Sequence, residues 1–320
     1  MDKKNKNRLN IHLFSVVLGI IFTLSALIIW NFTSANNGIN ILDDFPHNYK
    51  IITPHIPNEL FFCDERVPLE NIDIKEKIER EFIVNTYWHS STILHLKRSN
   101  RWFPVIEPIL KKNGLPDDIK YISIVESNLE NAISPKGATG FWQFMKETAK
   151  KYGLEVNNEI DERYNIEKST EAACKYLKEA YEKYGSWTLA AASYNLGMNG
   201  ITNQIKRQKS KNYYKLVLND ETTRYISRII SMKEILNNPS KYGFDISQNE
   251  LYPELEIYEI SIKSKVEHFA DFAKNHGIDY KTLKYFNPWL RENYLTNKNK
   301  NTYHIKLPEK GTIYIIDEKQ

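Results

Sequence analysis

Cysteine is almost absent: Cys63 and Cys174 are the only two in 320 residues. With so few thiols, and with eight histidines scattered without ligand spacing, no zinc site is expected, nor any other metal or cofactor. An excess of one charge is lacking as well. Lys and Arg number 44 against 40 Asp and Glu, and the resulting +4 is too weak a field to point to nucleic acid, although it would help the chain lie on an anionic polymer. The remainder, 26% charged and 41% hydrophobic, is the composition of an ordinary soluble chain with room for two or three domains.

One long apolar run breaks that pattern. The basic opening MDKKNKNRLN leads into IHLFSVVLGIIFTLSALIIW, and no charge occurs from Leu13 to Trp30. Such a run suits a membrane-spanning helix, because the apolar core of a cleaved signal peptide is usually about 7–15 residues. The positive flank predicts a cytoplasmic N-terminus and an exported remainder. Cleavage after Ala35, in TSA, is the other outcome. Export would permit Cys63 and Cys174 to pair. Cys174, among small residues in EAACKYL, reads better as a buried small hydrophobe.

Residues 36–70, rich in Asn, Pro and Asp, read as a tether in which HIPNELFFCDERVPL is able to pack as an arm. Helical spacing follows at Ile72, Ile74, Ile78, Phe82 and Tyr87, then at Ile93 and Leu96. LPDDIKYISIV predicts a further helix, with Pro116 in its first turn, Asp117 and Asp118 at the positive end of the dipole, and its end at Glu126. Ile119, Ile122 and Val125 give it an apolar face. The Glu126 carboxyl is then desolvated and feels the negative helix end, and both effects favour its neutral form. That suits a general acid. Pro135, Gly137 and Gly140 turn the chain into Phe141, Trp142, Gln143, Phe144 and Met145. This aromatic run is expected to wall a cleft, with the Gln143 amide offering a donor and an acceptor to hydroxyl or amide groups.

KETAKKYG predicts a helix stopped by Gly153. Asn165 is the expected N-cap of IEKSTEAACKYLKEAYEKYG, whose apolar face holds Ala173, Tyr176, Leu177, Ala180, Tyr181 and Tyr184, and Gly185 is its stop. SWTLAAASYNLGMNGI is a short Ala-rich helix presenting Tyr194 at its end. DETTRYISRIISMKEILNNP carries Ile226, Ile229, Ile230 and Leu236 on one face and ends before Pro239. After it, YEISIK, KVEHFADFAKNHG, DYKTLKYFNPW and then TYHIKLP with TIYII spell strand, two helices and strand.

Three of these motifs, in this order, resemble the catalytic core of the lytic transglycosylases, lysozyme-like enzymes that cleave bacterial peptidoglycan, and most closely their membrane-bound type D branch. Glu126-Ser127 is similar to the family's acid–serine pair, Gly140-Phe141-Trp142-Gln143-Phe144-Met145 to its Gly-x-x-Gln turn, and Ser193-Tyr194-Asn195 to its helix end, with Ser193 where alanine is usual. The likeness covers residues 100–240 and reaches VPLEN upstream. NPW and the closing Leu-Pro resemble LysM-type wall-binding repeats, with Lys263-Ser264-Lys265 in place of the usual Gly-Asp. The resemblance implies a mainly α chain with a basic flank and membrane anchor at 1–35 and a tether and helical arm at 36–100. A lysozyme-like helical catalytic domain would follow at 101–245, then a small α+β LysM-like module at 255–320 that is either a sugar binder or a structural cap. No cysteine closes the anchor, so the lipid attachment of many relatives is not implied.

By the same resemblance Glu126 would protonate the glycosidic oxygen between N-acetylmuramic acid and N-acetylglucosamine. As a carboxylate it would then deprotonate the muramoyl C6 hydroxyl, leaving a 1,6-anhydro sugar. Tyr194 would hydrogen-bond Glu126. Ser134, Gln143, Met145 and Phe141 would bind or line the substrate, Asn195 would shape the helix end, and Tyr225 would border the cleft. The implied partners are peptidoglycan glycan strands and, through the N-terminal helix, the membrane, which places the catalytic domain in the cell envelope. The residues themselves offer no convincing second carboxylate of the kind ordinary glycosidases need. Glu130 lies in a loop four residues on, and Asp161 and Glu162 belong to a segment resembling a structural motif. Two other readings stay open: a hydrolytic muramidase of the goose-lysozyme kind, which needs an additional aspartate near the cleft, and a non-catalytic peptidoglycan-binding scaffold. Ser127, with no histidine nearby in sequence, reads as a structural hydroxyl rather than a nucleophile.

Overall fold

Residues 51–312 are described by the structure, a computed structural model. The flank and apolar run at 1–35, the tether up to residue 50 and, apart from Thr312, the segment TIYII lie outside the described residues. Among the described residues no helix is long and apolar enough to cross a membrane.

The arm is part of the core. A tight hairpin pairs β1 (Phe61–Phe62) antiparallel with β2 (Glu65–Arg66), and Cys63 and Asp64 make its turn at φ 50° and 63°. Leu60, Phe62, Cys63 and Val67 are buried, so this stretch cannot come away without exposing apolar surface. Helix α1 (Ile72–Tyr87) buries Ile74, Ile78 and Phe82, whereas Ile72 is 75% exposed and does not belong to the apolar face assigned to it. Helix α2 (His89–Lys112) runs straight through residue 100, so arm and catalytic domain share one helix where a boundary was expected.

A 3₁₀ turn at Asp117–Ile119 leads into α3 (Lys120–Ser127), which ends one residue past Glu126 because Asn128 turns left-handed at φ 57°. Beyond it come α4 (Lys146–Lys151), α5 (Ile166–Tyr184), α6 (Trp187–Leu196), α7 (Met198–Gln208) and α8 (Asp220–Asn237). The expected caps are present: the Asn165 side chain accepts from the Lys168 amide at 3.0 Å, and Gly185 closes α5 at φ 68°. Ala190, Ala191 and Ala192 of α6 are fully buried, and their small side chains let α5 and α8 pack close on either side. Helix α8 also lies along α1. Their seam encloses the Glu81 carboxylate, met by Arg80 at 2.6 Å, Arg224 at 2.7 Å and Arg228 at 3.7 Å, as a buried charge requires.

The C-terminal module has the expected order: β3 (Ile257–Ile262), α9 (Phe269–Asn275), α10 (Tyr280–Phe286) and β4 (Tyr303–Pro308), with the strands antiparallel and Ile260 opposite Ile305. Phe269, Leu283, Trp289, Leu290 and Leu307 form its core. Two residues of the helical body, Ile160 and Tyr164, complete that core.

Candidate active site

Glu126 stands on the last turn of α3, partly exposed as a residue while its carboxyl is wrapped by protein. Burial pushes its pKa from 4.5 up to about 7. A hydrogen bond from Tyr225 and the charge of Arg228 oppose that rise, and Glu221 adds to it. The bond is short: the Tyr225 hydroxyl donates to Glu126 Oε1 at 2.5 Å. Tyr225 is 1% exposed on α8, the helix packed against α3, so it is a partner of the acid and not a residue bordering open cleft.

Tyr194 does not take the place expected of it. Its hydroxyl donates to the Trp142 carbonyl at 2.8 Å, because the end of α6 faces the Gly140–Met145 turn while the carboxyl faces α8. It remains near enough to Glu126 for the carboxylate's charge to add to the burial that raises its own pKa. Tyr194 therefore braces the turn beside the acid, with its ring edge-on to Phe144 at 5.8 Å.

The aromatic run is mostly core, and of its three rings only Phe141 lines a cavity. Trp142 is fully buried, its indole N–H donating to Thr170 Oγ1 at 2.8 Å; Phe141 and Phe144 are each 3% exposed. Only Gln143 and Met145 reach outward, Met145 at 46% exposure. Gln143 sits at φ 47°, an uncommon conformation for a non-glycine residue, and its amide nitrogen donates to the carbonyls of Ala132 at 3.0 Å and Gly140 at 2.8 Å. That amide nitrogen is spent inside the loop. Ser134 likewise closes its own turn, its Oγ accepting from the Ala138 amide at 3.0 Å, and it makes no hydrogen bond to the acid. Asn195 ties α6 to α8, donating to Glu221 Oε1 at 3.0 Å and accepting from Thr222 Oγ1 at 2.6 Å.

The Ser127 hydroxyl shares its one proton between the carbonyls of Ser123 at 3.0 Å and Phe141 at 2.9 Å, which suits a structural hydroxyl. A histidine does come close. His95 bonds Asn128 Oδ1 at 2.8 Å, and burial lowers its pKa, but it makes no bond to Ser127. Both cysteines are free and buried, and burial pushes the Cys174 thiol to about 12.

The other carboxylates considered for the site are engaged. Asp161 is held by Arg163 at 2.7 Å, Glu162 pairs with Lys168, and Glu130 with Arg98. Arg163 went unnoticed in the sequence, although an acid two residues before an arginine in DERYN is a spacing at which a tight turn lets them meet. Its guanidinium also donates to the carbonyls of Gly137 and Phe144 at 3.0 and 3.1 Å. A cavity of about 620 Å³ lies where α2 and residues 129–132 meet the C-terminal module, lined among others by Trp102, Phe141, Tyr285 and Trp289. Glu126 does not line it, so the environment of the carboxyl, and not the volume of a cavity, locates the candidate chemistry.

Residues 103–217 match the transglycosylase SLT domain family, and residues 258–311 the soluble lytic transglycosylase C-terminal LysM-like domain. The chain carries an SLT domain. Within this SLT domain fall Glu126, Ser134, Phe141, Gln143, Met145, Tyr194 and Asn195; Tyr225 lies beyond it. The membrane-bound lytic murein transglycosylase D of Escherichia coli strain K12 is 28% identical over 228 residues, which are 69% of this chain and 49% of the relative. The protein of the same name from Escherichia coli O6:H1 gives the same figures. The chain thus spans about half the length of the curated relatives it matches. Among solved structures, the 70 kDa soluble lytic transglycosylase of Escherichia coli overlaps 47% of this chain and 26% of its own at 17% identity, with a TM-score of 0.37. The lytic transglycosylase Slt of Pseudomonas aeruginosa overlaps the same shares at 21% identity and a TM-score of 0.34. At these scores the overlaps carry no structural argument.

Proposed function

We propose that this chain is a peptidoglycan lytic transglycosylase in which Glu126 serves first as acid and then as base. The observation that carries this reading is the desolvated Glu126 carboxyl, raised to about 7 and bonded to Tyr225, while Asp161, Glu162 and Glu130 are each committed to a cation. A group with that pKa is present in both protonation states near neutrality, which a role reversal needs.

In the proposed reaction protonated Glu126 gives its proton to the glycosidic oxygen between N-acetylmuramic acid and N-acetylglucosamine as the bond from that oxygen to the muramoyl C1 breaks. The resulting carboxylate, supported by the Tyr225 hydroxyl, takes the proton of the muramoyl C6 hydroxyl. The C6 oxygen then closes on C1. One bond is lost and one is made, the proton returns to Glu126, and no water is consumed. The substrate supplies its own nucleophile, so no second carboxylate is required. The SLT domain and the name of the Escherichia coli relatives support the substrate class. The basic flank and the uncharged run to Trp30 support an envelope location with the catalytic domain exported.

Mass spectrometry of sugars released from purified peptidoglycan by the full chain, beside a Glu126→Gln control, tests this. Anhydromuramoyl ends that vanish in the control are expected. Reducing muramoyl ends would replace the reading with a hydrolytic muramidase. Wall binding without release would replace it with a scaffold.

A further inference from the structure

Arg163 lies 9% exposed on the 3₁₀ turn Glu162–Tyr164, between two packed surfaces. Toward the site its Nη1 donates to Gly137 O and Phe144 O, the two arms of the loop that carries Gln143. Its Nε and Nη2 are held by the two oxygens of Asp161 at 2.9 and 2.7 Å, a bidentate grip that fixes the plane of the guanidinium. On its other side the same segment is held by the C-terminal module. The Asp161 amide donates to the Trp289 carbonyl at 2.9 Å and the Arg291 amide to the Glu159 carbonyl at 2.8 Å. Thr296 donates twice to the Glu159 carboxylate, at 2.7 and 2.9 Å, and the Tyr303 hydroxyl to Glu155 at 3.0 Å. Ile160 and Tyr164, on either side of the clamp, are buried in the module's core, and the Arg291 guanidinium lies 4.3 Å from the Tyr164 ring centre.

We infer that Arg163 is a positioning residue through which the C-terminal module holds the active-site loop in place. A module that only gripped glycan would need no such set of bonds to residues 155–164. From the clamp to the acid the packing is short: Tyr194 donates to Trp142 O and Ser127 to Phe141 O, so the loop, Tyr194 and the end of α3 move together or not at all. The groups facing Glu126 are Tyr225, Glu221 and Arg228 of α8 and Tyr194 of α6. None of them is hydrogen-bonded to Arg163, so a change at Arg163 reaches the acid by admitting water.

Two readouts on the full chain test this role, which through its kinetic arm rests on the transglycosylase reading. Hydrogen exchange of amides 137–144 is followed in the wild type, Arg163→Lys and Ile160→Ala. An ammonium cannot keep four oxygens in one plane, and Ile160→Ala loosens the module, so both variants should exchange about tenfold faster there while the SLT domain outside residues 137–144 and 155–164 is unchanged. On a short soluble glycan fragment kcat should fall about ten- to a hundredfold with KM within about twofold. The pH limb set by Glu126 should move toward the ordinary carboxylate range as the site is wetted. Unchanged loop exchange, exchange that quickens everywhere, or a rate that drops equally at every pH would overturn the role. If Arg163→Lys does not fold, Ile160→Ala carries both readouts. If the wild type cleaves nothing, the functional reading falls while the exchange comparison still decides the clamp.

Discussion

The Tyr225 hydroxyl and Glu126 Oε1 are 2.5 Å apart, and the acid's proton affinity is set by a contest at that contact. Burial favours the neutral carboxyl; the phenol, donating into it, favours the carboxylate. Tyr225→Phe removes the second effect and leaves the first. The Glu126 pKa should then rise above about 7, carrying the basic limb of the kcat/KM profile to higher pH. The carboxylate that must next act as base loses its donor, so kcat should fall about tenfold or more. A pH series on the variant checks this, and an unmoved basic limb would separate Tyr225 from the acid.

Glu126 should also weaken the fold that holds it. Its folded pKa, about 7, lies above the ordinary 4.5, so between those values the folded chain binds more protons than the unfolded chain. Stability therefore falls as pH rises from about 4.5 through 7, by at most about 3 kcal/mol. Glu126→Gln keeps the shape and an acceptor for Tyr225 and cannot ionise. At pH 8 it should melt up to about 6 °C higher than the wild type, and at pH 4 at the same temperature. Equal gains at the two pH values would mean that the carboxyl's charge is not what costs the fold.

How far the site could be read from the chain depended on the range of the signal. Asn165, Gly185 and the strand–helix–helix–strand order of the last module were legible because caps and periodicity act within a few residues. Glu126 was legible as a desolvated acid for the same reason: it follows a turn and helix whose Ile119 and Ile122 are fully buried, and burial is what raises its pKa. Its phenolic partner was not, because Tyr194 and Tyr225 both end near the acid, and which one bonds it is settled by the approach of α8 to α3, 99 residues apart in sequence. Trp142 and Phe144 were expected at a surface because aromatic runs suit sugar rings. That run lies between α5 and α6, where burying it is worth more, and the chain turns only Gln143 and Met145 outward.

The arm before α1 should prove inseparable from the catalytic body. The Glu65 carboxylate accepts from Ser186 Oγ at 2.8 Å, the Trp187 amide at 2.5 Å, and the amide and hydroxyl of Thr188 at 3.0 and 2.5 Å, capping α6 from 121 residues away. Glu65→Ala strips all four donors of a charged acceptor and should cost about 2–4 kcal/mol. Glu65→Gln, retaining one oxygen, should cost less. Urea denaturation of the two variants checks the order; a loss under about 0.5 kcal/mol for alanine would return the arm to the status of a tether.

Gly137 and Gly140 offer a matched pair for the tightness of the loop. Both have positive φ, at 83° and 81°, so alanine at either is strained by its backbone alone. At Gly137 a new Cβ meets nothing within 4 Å, and Gly137→Ala should cost about 1 kcal/mol. At Gly140 it would stand 2.0 Å from the Arg163 carbonyl oxygen and 2.8 Å from the carbonyl carbon, both backbone atoms of a residue clamped to Asp161. The loop and the clamp cannot both keep their places, and Gly140→Ala should cost at least about 3 kcal/mol and remove activity. Chemical denaturation of the two variants gives the difference directly. A gap of about 2 kcal/mol or more measures the close approach of loop and clamp, and equal losses would mean that Arg163 yields readily and holds little.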